Sequence, residues 1–395
     1  MAAVSISAAA SGSARLTEEQ VLLRDAVREL ADERVAPRAA EVDRTAEWPD
    51  DIRRLLAEHD IFGIPFAESH GGLGADLVTL CLAIEQLSRA CATTGLMLAV
   101  QALGAIPIQA AGSVEQQARW LPGLASGERL IAFALTEADA GSDPSGIRTR
   151  AVRDGDDYVI DGSKRFISHA SVADYVVVFA VTNPDAEKPS RRLSAILIET
   201  DRPGFKVTRT EHKMGIRGSP TAELAFDGLR VPIENRLGEE GQGFAIAMQT
   251  FERSRPGIAA QAVGIAQGAL EVATRYANER RQFGKPIGEL QMVQAMLADM
   301  DAQTEAARHL LYTACLEIET GSPDAARWAA ICKLVGGDTA MRVTTDAVQV
   351  LGGYGYIDEY PVERMMRDAK ITQLYEGTQQ IQRLLVARSL LARYA

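Results

Sequence analysis

Three long helical patterns near the carboxyl end place the strongest constraint on the fold of this chain. Apolar residues recur with a helical period over residues 244–279, 288–320 and 323–351, and shorter helical patterns follow at 361–372 and 378–392. At ~1.5 Å of rise per residue, the longest of these helices spans about 50 Å. Helices of this length bury one face at most within a subunit, so we expect them to pack against each other and against other subunits. The pattern predicts a C-terminal four-helix bundle domain over residues 242–395.

The period changes to that of short strands in the middle of the chain. Strand-like segments occupy residues 130–135, 158–160, 175–181, 193–198, 205–208 and 222–226. Asp154-Gly155 and Asp161-Gly162 lie between them, and Asp-Gly is a strong signal for a two-residue hairpin. Because no helical pattern separates the strands, we predict an antiparallel β domain over residues 129–241.

The first part of the chain again has a helical period. Thr17 and Gln20 form a capping box that predicts a helix through Ala36, where Pro37 would end it. Further helical patterns cover residues 50–59, 76–90, 93–111 and 114–125. We therefore predict an N-terminal helical domain over residues 16–128, preceded by a disordered tail at residues 1–15. The predicted fold class is α+β, mainly α.

Composition limits the functions that such a chain can have. The net charge of −11 argues against a nucleic-acid surface and against binding to anionic membranes. No apolar run reaches the ~18 residues that a membrane helix needs. The four cysteines form no C-x-x-C pair and lie in apolar helical segments, so we predict reduced core residues of a cytoplasmic protein. Residues 71–74 are rich in glycine but follow no strand, so we interpret them as a loop rather than a dinucleotide site. No metal site is predicted.

One carboxylate near the end of the chain is a candidate general base. Glu376 lies in the segment Leu374-Tyr375-Glu376-Gly377-Thr378, between an aromatic ring and a glycine. An isolated carboxylate beside an aromatic ring can be desolvated, which raises its pKa toward the range of a working base. The glycine lets another part of the backbone or a ligand approach closely. The alternative interpretation is an ordinary loop between two helices.

Two segments of the middle region carry groups suited to a planar, anionic ligand. Residues 133–143 end a strand at Thr136 and continue into Gly141-Ser142, which present bare backbone and a hydroxyl group. Residues 162–169 place Phe166 at a strand end, where an aromatic side chain can cover one face of a ring. A simple strand-to-turn connection and core packing of Phe166 are the alternatives.

Two further segments lie at the ends of long helices. Arg280 and Arg281 stand in a last helical turn, where their charges either complement the helix dipole or capture a phosphate group. Residues 349–356 carry three glycines past a helix end. These glycines leave backbone N–H groups accessible to a ligand. The alternative interpretation is a simple helix terminus.

The order and spacing of these five segments closely resemble those of the acyl-CoA dehydrogenase flavoproteins, most nearly the short- and medium-chain branch. The resemblance covers residues 16–392, and the segments LTEADAGSD and YEGTQQIQR carry it most specifically. It implies an N-terminal helical domain, a middle β domain and a C-terminal four-helix bundle. It also implies that FAD lies between these layers and across a subunit boundary.

The resemblance assigns a set of residues to FAD. These are Phe133, Leu135, Thr136, Gly141, Ser142, Phe166, Ile167, Ser168, Arg280, Gln282, Phe283, Gln291, Gln349, Gly352, Gly353, Thr378 and Gln380. Those from Arg280 to Phe283 and from Gln349 to Gly353 would reach the FAD of a neighbouring subunit, so a homo-oligomer built as a dimer of dimers is expected. Many members of the family have Trp where this chain has Phe166, and Thr where it has Ser168. These two differences put in doubt only how the protein tunes the properties of the flavin.

The resemblance also implies a reaction. Glu376 would remove the α-proton of an acyl-CoA thioester while the β-hydride moves to flavin N5, giving a trans-2-enoyl-CoA. The Glu376 N–H would help to stabilise the developing enolate oxygen. Ser142, Arg255 and Gly377 match positions that contact the CoA thioester. Some branches carry the base just before this arginine, but the residue there is Ser254, which cannot act as one.

The resemblance further implies an electron-transfer flavoprotein as partner and a straight short-to-medium acyl chain as substrate. Two other functions stay open. The same fold can act as an oxidase or monooxygenase that uses O₂, or as a dehydrogenase of acyl groups bound to a carrier protein. The third interpretation is a helical assembly without cofactor or catalysis, against which the intact Glu376 and Arg280 argue.

Overall fold

Helices surround a central sheet in the computed structural model, which describes residues 16–395. The predicted disordered tail at residues 1–15 lies outside the described residues. The predicted α+β, mainly α class is confirmed, with helices before and after a single run of strands.

The N-terminal part is helical, as predicted. Its helices are α1 (Glu18–Leu30), α2 (Ala39–Thr45), α3 (Asp50–Glu58), α4 (Leu77–Ala90), α5 (Ala92–Ala111) and α6 (Val114–Ala125). The predicted capping box opens α1, because the Gln20 N–H donates to Thr17 Oγ1 at 3.2 Å and the Thr17 N–H donates to Gln20 Oε1 at 3.0 Å. The helix does not stop at Ala36. A π-helical turn and a 3-10 turn carry the chain past Pro37 into α2, since these turns accommodate a residue without an N–H.

Helix α5 is the apolar centre of the N-terminal part. It is long and apolar enough to cross a membrane, but 78% of its most apolar window is buried inside the protein. Gln101 of α5 uses its whole amide group: Nε2 donates to the carbonyls of Leu124 and Arg129, and Oε1 accepts the Ile131 N–H. This residue therefore joins α5 to the end of α6 and to the start of the sheet.

The middle part is a mixed sheet rather than a fully antiparallel one. Its strands are β1 (Ile131–Ala134), β2 (Arg150–Asp154), β3 (Asp157–Ser168), β4 (Tyr175–Val181), β5 (Leu193–Glu199), β6 (Phe205–Thr210), β7 (Thr221–Pro232) and β8 (Arg236–Leu237). They are ordered β6-β7-β3-β2-β4-β5-β8, and β1 joins at β4. The pairs β1–β4 and β2–β4 are parallel, and the others are antiparallel.

The two Asp-Gly signals have different outcomes. Asp154-Gly155 makes the expected hairpin between β2 and β3, with Asp154 opposite Asp157. Asp161-Gly162 does not turn the chain. It lies within β3 at an irregularity in the pairing with β7, and an added Cβ at Gly162 would come within 2.7 Å of Thr149. This glycine allows a close approach of backbone, which a sequence pattern cannot distinguish from a turn.

The central strand β4 is covered on both of its faces. On β4, the side chains of Val177 and Phe179 face α5 and α6, while those of Val176 and Val178 face the interior of the curved sheet. Because successive side chains of a strand point to opposite faces, a strand buried on both sides is apolar throughout. This explains the unbroken apolar run of residues 175–181.

The C-terminal part contains the long helices. They are α7 (Gly243–Glu279), α8 (Gln291–Glu319), α9 (Ala325–Leu351), α10 (Val362–Ala369) and α11 (Gln379–Ala392), with a short hairpin of β9 (Arg281–Gln282) and β10 (Lys285–Pro286) after α7. Helix α7 packs against α8 and α9 on one side and against α4 and α5 on the other. Gly264 and Gly268 permit the close contact with α4, because an added Cβ would come within 2.3 Å of the Glu85 carbonyl and 2.4 Å of the Arg89 carbonyl.

The four cysteines are free and buried, as predicted. Cys81 of α4 and Cys315 of α8 lie with their sulfur atoms 3.6 Å apart. The glycine-rich segment 71–74 is a loop, also as predicted.

Candidate active site

The loop between α10 and α11 carries Glu376 in a strained backbone conformation. Thr378 provides the N-cap of α11, so the loop ends immediately after Gly377. Glu376 has a φ of 50° and Gly377 a φ of 90°. The left-handed conformation is unfavourable for a residue with a Cβ, and it persists only where surrounding contacts hold it. An added Cβ at Gly377 would come within 2.6 Å of Gln382 Nε2, so this position requires a glycine.

The carboxylate of Glu376 faces α7 and α9. The Ser254 hydroxyl donates a hydrogen bond to Glu376 Oε2 at 2.6 Å. Burial raises the pKa of Glu376, while the Ser254 hydrogen bond and the charges of Arg255 and Lys333 act in the opposite direction. Glu376 is therefore a partly buried residue whose carboxylate is surrounded by groups that favour its ionised form, which suits a general base.

Side chains from three helices hold the carbonyl groups of this loop. Arg255 Nε of α7 donates to the Glu376 carbonyl at 3.3 Å. Gln382 Nε2 of α11 donates to the carbonyls of Glu376 and Gly377 at 3.1 and 3.0 Å. Lys333 Nζ of α9 donates to the Gly377 carbonyl at 2.7 Å. Among residues 16–395 the Glu376 N–H has no protein acceptor, which leaves it available to an oxygen atom of a ligand.

Tyr375 anchors the other side of the loop. Its hydroxyl donates to Gln261 Oε1, and Gln261 Nε2 of α7 donates to the Ala92 carbonyl at 3.0 Å. Burial raises the pKa of Tyr375 well above its ordinary value, so the hydroxyl stays protonated and remains a donor. The loop is thus fixed to α7 and to the start of α5.

The predicted ring-binding segment at the end of β1 is connected to Glu376 through α7. The ring of Phe133 packs 5.6 Å from the ring of Phe251, and the Arg255 guanidinium lies 5.6 Å from the centre of that ring. Leu135 is buried and Thr136 is partly exposed. The structure therefore brings the β1 end and the Glu376 loop to the same region of the protein.

A buried ion pair supports the end of β1 from behind. Lys164 Nζ donates to the Leu135 carbonyl at 3.0 Å and to Glu137 Oε1 at 2.8 Å. Burial lowers the pKa of Lys164 to about 8. Burial also opposes ionisation of Glu137, but the Lys164 charge and the hydrogen bonds from Lys164, Thr149 and Arg148 together lower the pKa of Glu137. The pair fixes the strand end on which Leu135 and Thr136 lie.

The second predicted ring-binding segment lies beside the first. The Arg165 N–H donates to the Thr136 carbonyl at 2.9 Å, which places β3 next to the end of β1. Phe166 is 58% exposed and has a φ of 59°, whereas Ile167 is buried and Ser168 is partly exposed. An aromatic ring that is both exposed and held in a left-handed conformation is the kind of strained feature found at ligand sites. Core packing of Phe166 is therefore excluded.

Gly141 and Ser142 follow on an exposed turn after β1. An added Cβ at Gly141 would meet no atom within 4 Å, so this backbone is open to solvent. The turn is a suitable place for the phosphate groups of a ligand, although no contact within the chain joins it to Glu376.

A separate group of predicted residues lies at the far end of α7. The Arg280 guanidinium stacks 5.3 Å from the centre of the Tyr354 ring, which follows α9. Phe283, at the tip of the β9–β10 hairpin, is 89% exposed. The other exposed residues of this group are Gln282, Gln291, Gln349, Gly352 and Gly353, and an added Cβ at either of the two glycines would meet nothing within 4 Å.

The predicted cofactor residues thus form two groups. Arg280 follows Arg255 by 25 residues on α7, which is about 37 Å along a helix axis. Thr378 and Gln380 belong to the group near Glu376, where Thr378 caps α11 and Gln380 is exposed on its first turn.

Three residues around Glu376 were not assigned to the site from the sequence: Ser254 as a partner of the base, Lys333 and Gln382. A signal exists for Lys333. It falls at helical spacing from the buried residues Ala329, Ala330, Gly336 and Gly337 of α9, so a charged residue stands on an otherwise apolar face. Among residues 16–395, no group of three or more His, Cys, Asp or Glu side chains is arranged to hold a metal ion.

Family models and known proteins match almost the whole chain. Residues 17–128, 132–229 and 241–391 match the N-terminal, middle and C-terminal domains of acyl-CoA dehydrogenase. The cyclohex-1-ene-1-carbonyl-CoA dehydrogenase of Geobacter metallireducens is 48% identical over 377 residues, which are 95% of this chain and 99% of that protein.

Two solved structures have closely similar backbones. Butyryl-CoA dehydrogenase of Megasphaera elsdenii has a TM-score of 0.92 at 42% identity, covering 95% of this chain and 99% of that one. A chain from a structural study of the electron transferring flavoprotein of Acidaminococcus fermentans has a TM-score of 0.93 at 44% identity, covering 96% and 99%.

Proposed function

Because the chain belongs to the acyl-CoA dehydrogenase family, whose members are FAD-dependent oxidoreductases, we propose that it oxidises an acyl-CoA thioester to a trans-2-enoyl-CoA with Glu376 as the base. The observation that carries the proposal is a partly buried carboxylate on a residue whose own N–H has no acceptor among residues 16–395 and can bind an oxygen atom. A base and an oxyanion donor on one residue match the needs of proton removal beside a thioester carbonyl.

The residues of the predicted cofactor site fit FAD. The exposed ring of Phe166 beside the β1 end suits a flat ring system, and the open backbone at Gly352 and Gly353 suits the approach of a bulky ligand. Residues 133–136 and 166–168 would flank the flavin ring, with Gly141 and Ser142 toward the pyrophosphate. Bound FAD supplies the acceptor for the β-hydride, at its N5 atom.

Residues of the chain carry out the other parts of the reaction. The Glu376 carboxylate takes the α-proton, while its N–H binds the thioester oxygen and stabilises the negative charge that develops there. Ser254 orients the carboxylate, and Arg255 and Gln382 hold the carbonyl on the C-terminal side of Glu376. We propose Ser142, Arg255 and Gly377 as contacts of the thioester.

A cavity along α7 provides room for the CoA part of the substrate. It has a volume of about 670 Å³ and is lined by Arg191, Phe244 and Gln249 among others. Gln249 precedes Arg255 by six residues, about 9 Å along the helix. A CoA chain that leaves the thioester at Glu376 and follows α7 toward its N-terminus reaches this cavity.

The first test is the substitution Glu376→Gln, which keeps the size and hydrogen-bonding capacity of the side chain but removes the base. We expect the variant to keep FAD and its oligomeric state and to lose turnover by roughly three orders of magnitude or more. Anaerobic bleaching of the flavin band by butyryl-CoA measures the half-reaction directly. Near-normal bleaching by the variant would show that another group removes the proton.

The electron acceptor separates this proposal from the oxidase or monooxygenase alternative. We propose an electron-transfer flavoprotein as partner, which is supported by the similarity to the Acidaminococcus fermentans chain. After anaerobic bleaching, a dehydrogenase is reoxidised slowly in air and rapidly by the partner flavoprotein. Rapid reoxidation in air would support the alternative.

For the substrate, we propose a straight short-to-medium acyl-CoA, acted on by a cytoplasmic homotetramer. The similarity to butyryl-CoA dehydrogenase supports a short chain, whereas the cyclohex-1-ene-1-carbonyl-CoA dehydrogenase relative makes ring-bearing thioesters a second group to test. A screen of CoA thioesters of both kinds, and of carrier-protein thioesters, against bleaching of the flavin band identifies the class.

A further inference from the structure

Lys333 is a buried charged residue close to the base. Its side chain is fully enclosed within α9 and its neighbours. Its Nζ donates to the Gly377 carbonyl at 2.7 Å and to Gln379 Oε1 at 3.3 Å. A buried ammonium group is costly to maintain, because burial removes it from water. An apolar side chain would fill the same space without this cost, so the charge requires an explanation other than packing.

We propose that Lys333 is a positioning residue for the base: its ammonium group holds the Glu376–Gly377 turn and favours the ionised carboxylate of Glu376 in the free enzyme. This inference rests on the proposed role of Glu376. It has two separable parts, a hydrogen bond to the Gly377 carbonyl and a positive charge that lowers the pKa of Glu376.

The hydrogen bond acts on the backbone of the turn. Glu376 and Gly377 both have positive φ, and their carbonyl groups are held by Lys333, Gln382 and Arg255. A held carbonyl fixes its peptide plane and therefore the direction of the neighbouring side chain and N–H groups. Lys333 thus holds the carbonyl of the residue that follows Glu376 in the chain.

The charges that face Lys333 come from three elements. Burial has the largest effect and lowers the pKa of Lys333, and the charge of Arg255 on α7 lowers it further. Glu376 of the loop and Asp338 of α9 raise this pKa, and the result is a pKa of about 8. Asp338 already accepts from Gln379 and pairs with Arg383 at 2.8 Å. The Lys333 charge therefore lowers the pKa of Glu376, and the Arg255 charge lowers that pKa as well.

The sign of the effect on the base follows from these charges. A nearby positive charge lowers the pKa of a carboxyl group, so loss of the Lys333 charge raises the pKa of Glu376. The base works only when ionised. In a variant without the charge, the rise of kcat/KM with pH therefore moves to higher pH, and activity returns once Glu376 is ionised. A purely structural defect lowers the rate at every pH and leaves the midpoint in place.

The test compares Lys333→Met and Lys333→Gln with the wild-type holoenzyme. The Met variant loses both charge and donor, whereas the Gln variant loses the charge but keeps an N–H donor for the Gly377 carbonyl. We expect the acid-side midpoint of kcat/KM to rise by about one pH unit in both variants. At a pH below both midpoints, this shift is about a tenfold loss of rate. We expect the Met variant alone to have a lower plateau of kcat/KM.

The matched control is Arg342→Met, which removes an exposed positive charge from the same helix and should leave the midpoint of kcat/KM unchanged.

A second readout needs no turnover. The carboxyl band of Glu376, isolated as the infrared difference between each protein and its Glu376→Gln counterpart, is titrated with pH. We expect the same upward shift in both Lys333 variants. An unchanged titration midpoint in Lys333→Gln would overturn the charge argument even if the enzyme were an acyl-CoA dehydrogenase. Absence of flavin bleaching in the wild type, with a shifted carboxyl titration, would instead contradict the proposed function and leave the role of Lys333 in place.

Discussion

At the scale of single residues, three of the seven non-glycine residues with positive φ among residues 16–395 belong to the predicted site. Phe166, Phe283 and Glu376 each have a left-handed conformation, and none is a glycine. Such a conformation costs of order 1–3 kcal/mol and survives where neighbouring groups determine it. For Glu376 these neighbours are visible as donors to its own carbonyl and to the carbonyl of Gly377. For the exposed rings of Phe166 and Phe283, the ligand and the neighbouring subunit are the expected partners.

The hydrogen bond from Ser254 predicts a measurable effect on the base. It stabilises the ionised carboxylate, so Ser254→Ala should raise the pKa of Glu376. Hydrogen bonds to charged groups contribute roughly 1.5–3 kcal/mol, and about 1.4 kcal/mol corresponds to one pH unit. The acid-side midpoint of kcat/KM should therefore rise by about one unit. The Ser254→Thr variant keeps the hydroxyl and should retain the wild-type midpoint; equal midpoints in all three proteins would contradict this role.

At the scale of elements, α7 organises the site. Phe251, Ser254 and Arg255 lie within one turn of this helix and meet β1, the Glu376 loop and α9. Their spacing puts them within reach of each other because residues three and four apart on a helix are neighbours. The Glu376 loop is in turn fixed by α9 and α11. The active centre is therefore the meeting point of three long helices with the end of a strand.

The loop itself predicts that Gly377 tolerates no side chain. Gly377→Ala adds strain at a φ of 90° and a Cβ within 2.6 Å of Gln382 Nε2, so it should lower both stability and activity. The matched control is Gly321→Ala, where φ is also positive at 67° but nothing lies within 4 Å. Gly321→Ala should lower the free energy of unfolding by about 1 kcal/mol, and Gly377→Ala by about 2 kcal/mol more. Thermal melting of both variants measures the difference, and equal losses would show that the contact with Gln382 is unimportant.

At the scale of the whole molecule, the predicted cofactor residues lie in two groups, one on the side of Glu376 and one around Arg280. The group around Arg280 lies about 37 Å along α7 from Arg255 and presents exposed polar and aromatic side chains. Exposed aromatic residues beside an arginine favour contact with a ligand or with another subunit. We propose that the group around Arg280 contacts the FAD of a neighbouring subunit.

Binding of FAD between two subunits predicts that a variant that loses FAD also loses its oligomeric state. Arg280→Ala removes the cation stacked on Tyr354 and should weaken FAD binding roughly 10- to 100-fold, because charge-assisted contacts to phosphate contribute roughly 1.5–3 kcal/mol. It should also shift the protein toward smaller species. The control is Arg275→Ala, an exposed arginine of the same helix that pairs with Glu271 at 3.7 Å. Flavin absorbance per subunit and sedimentation velocity measure both effects, and a fully flavinylated, intact Arg280→Ala oligomer would count against cross-subunit binding.

The sequence by itself determined the fold class, and it singled out Glu376 as the proposed base. The change of period from helical to strand-like and back identifies three consecutive parts, because hydrophobic periodicity reports which face of each element is buried. The Asp154-Gly155 hairpin and the Thr17 capping box followed from local chemistry. The parallel pairing of β1 with β4 did not, since periodicity contains no information on which strands become neighbours.

Only the tertiary structure decided what surrounds Glu376. Ser254 and Lys333 lie 122 and 43 residues away in the chain, and both reach the Glu376 loop because α7 and α9 pack side by side. Helical spacing shows that Lys333 is on a buried face but not what that face contacts. Burial and charge at a site depend on such contacts between distant segments, so the environment of the base is a property of packing.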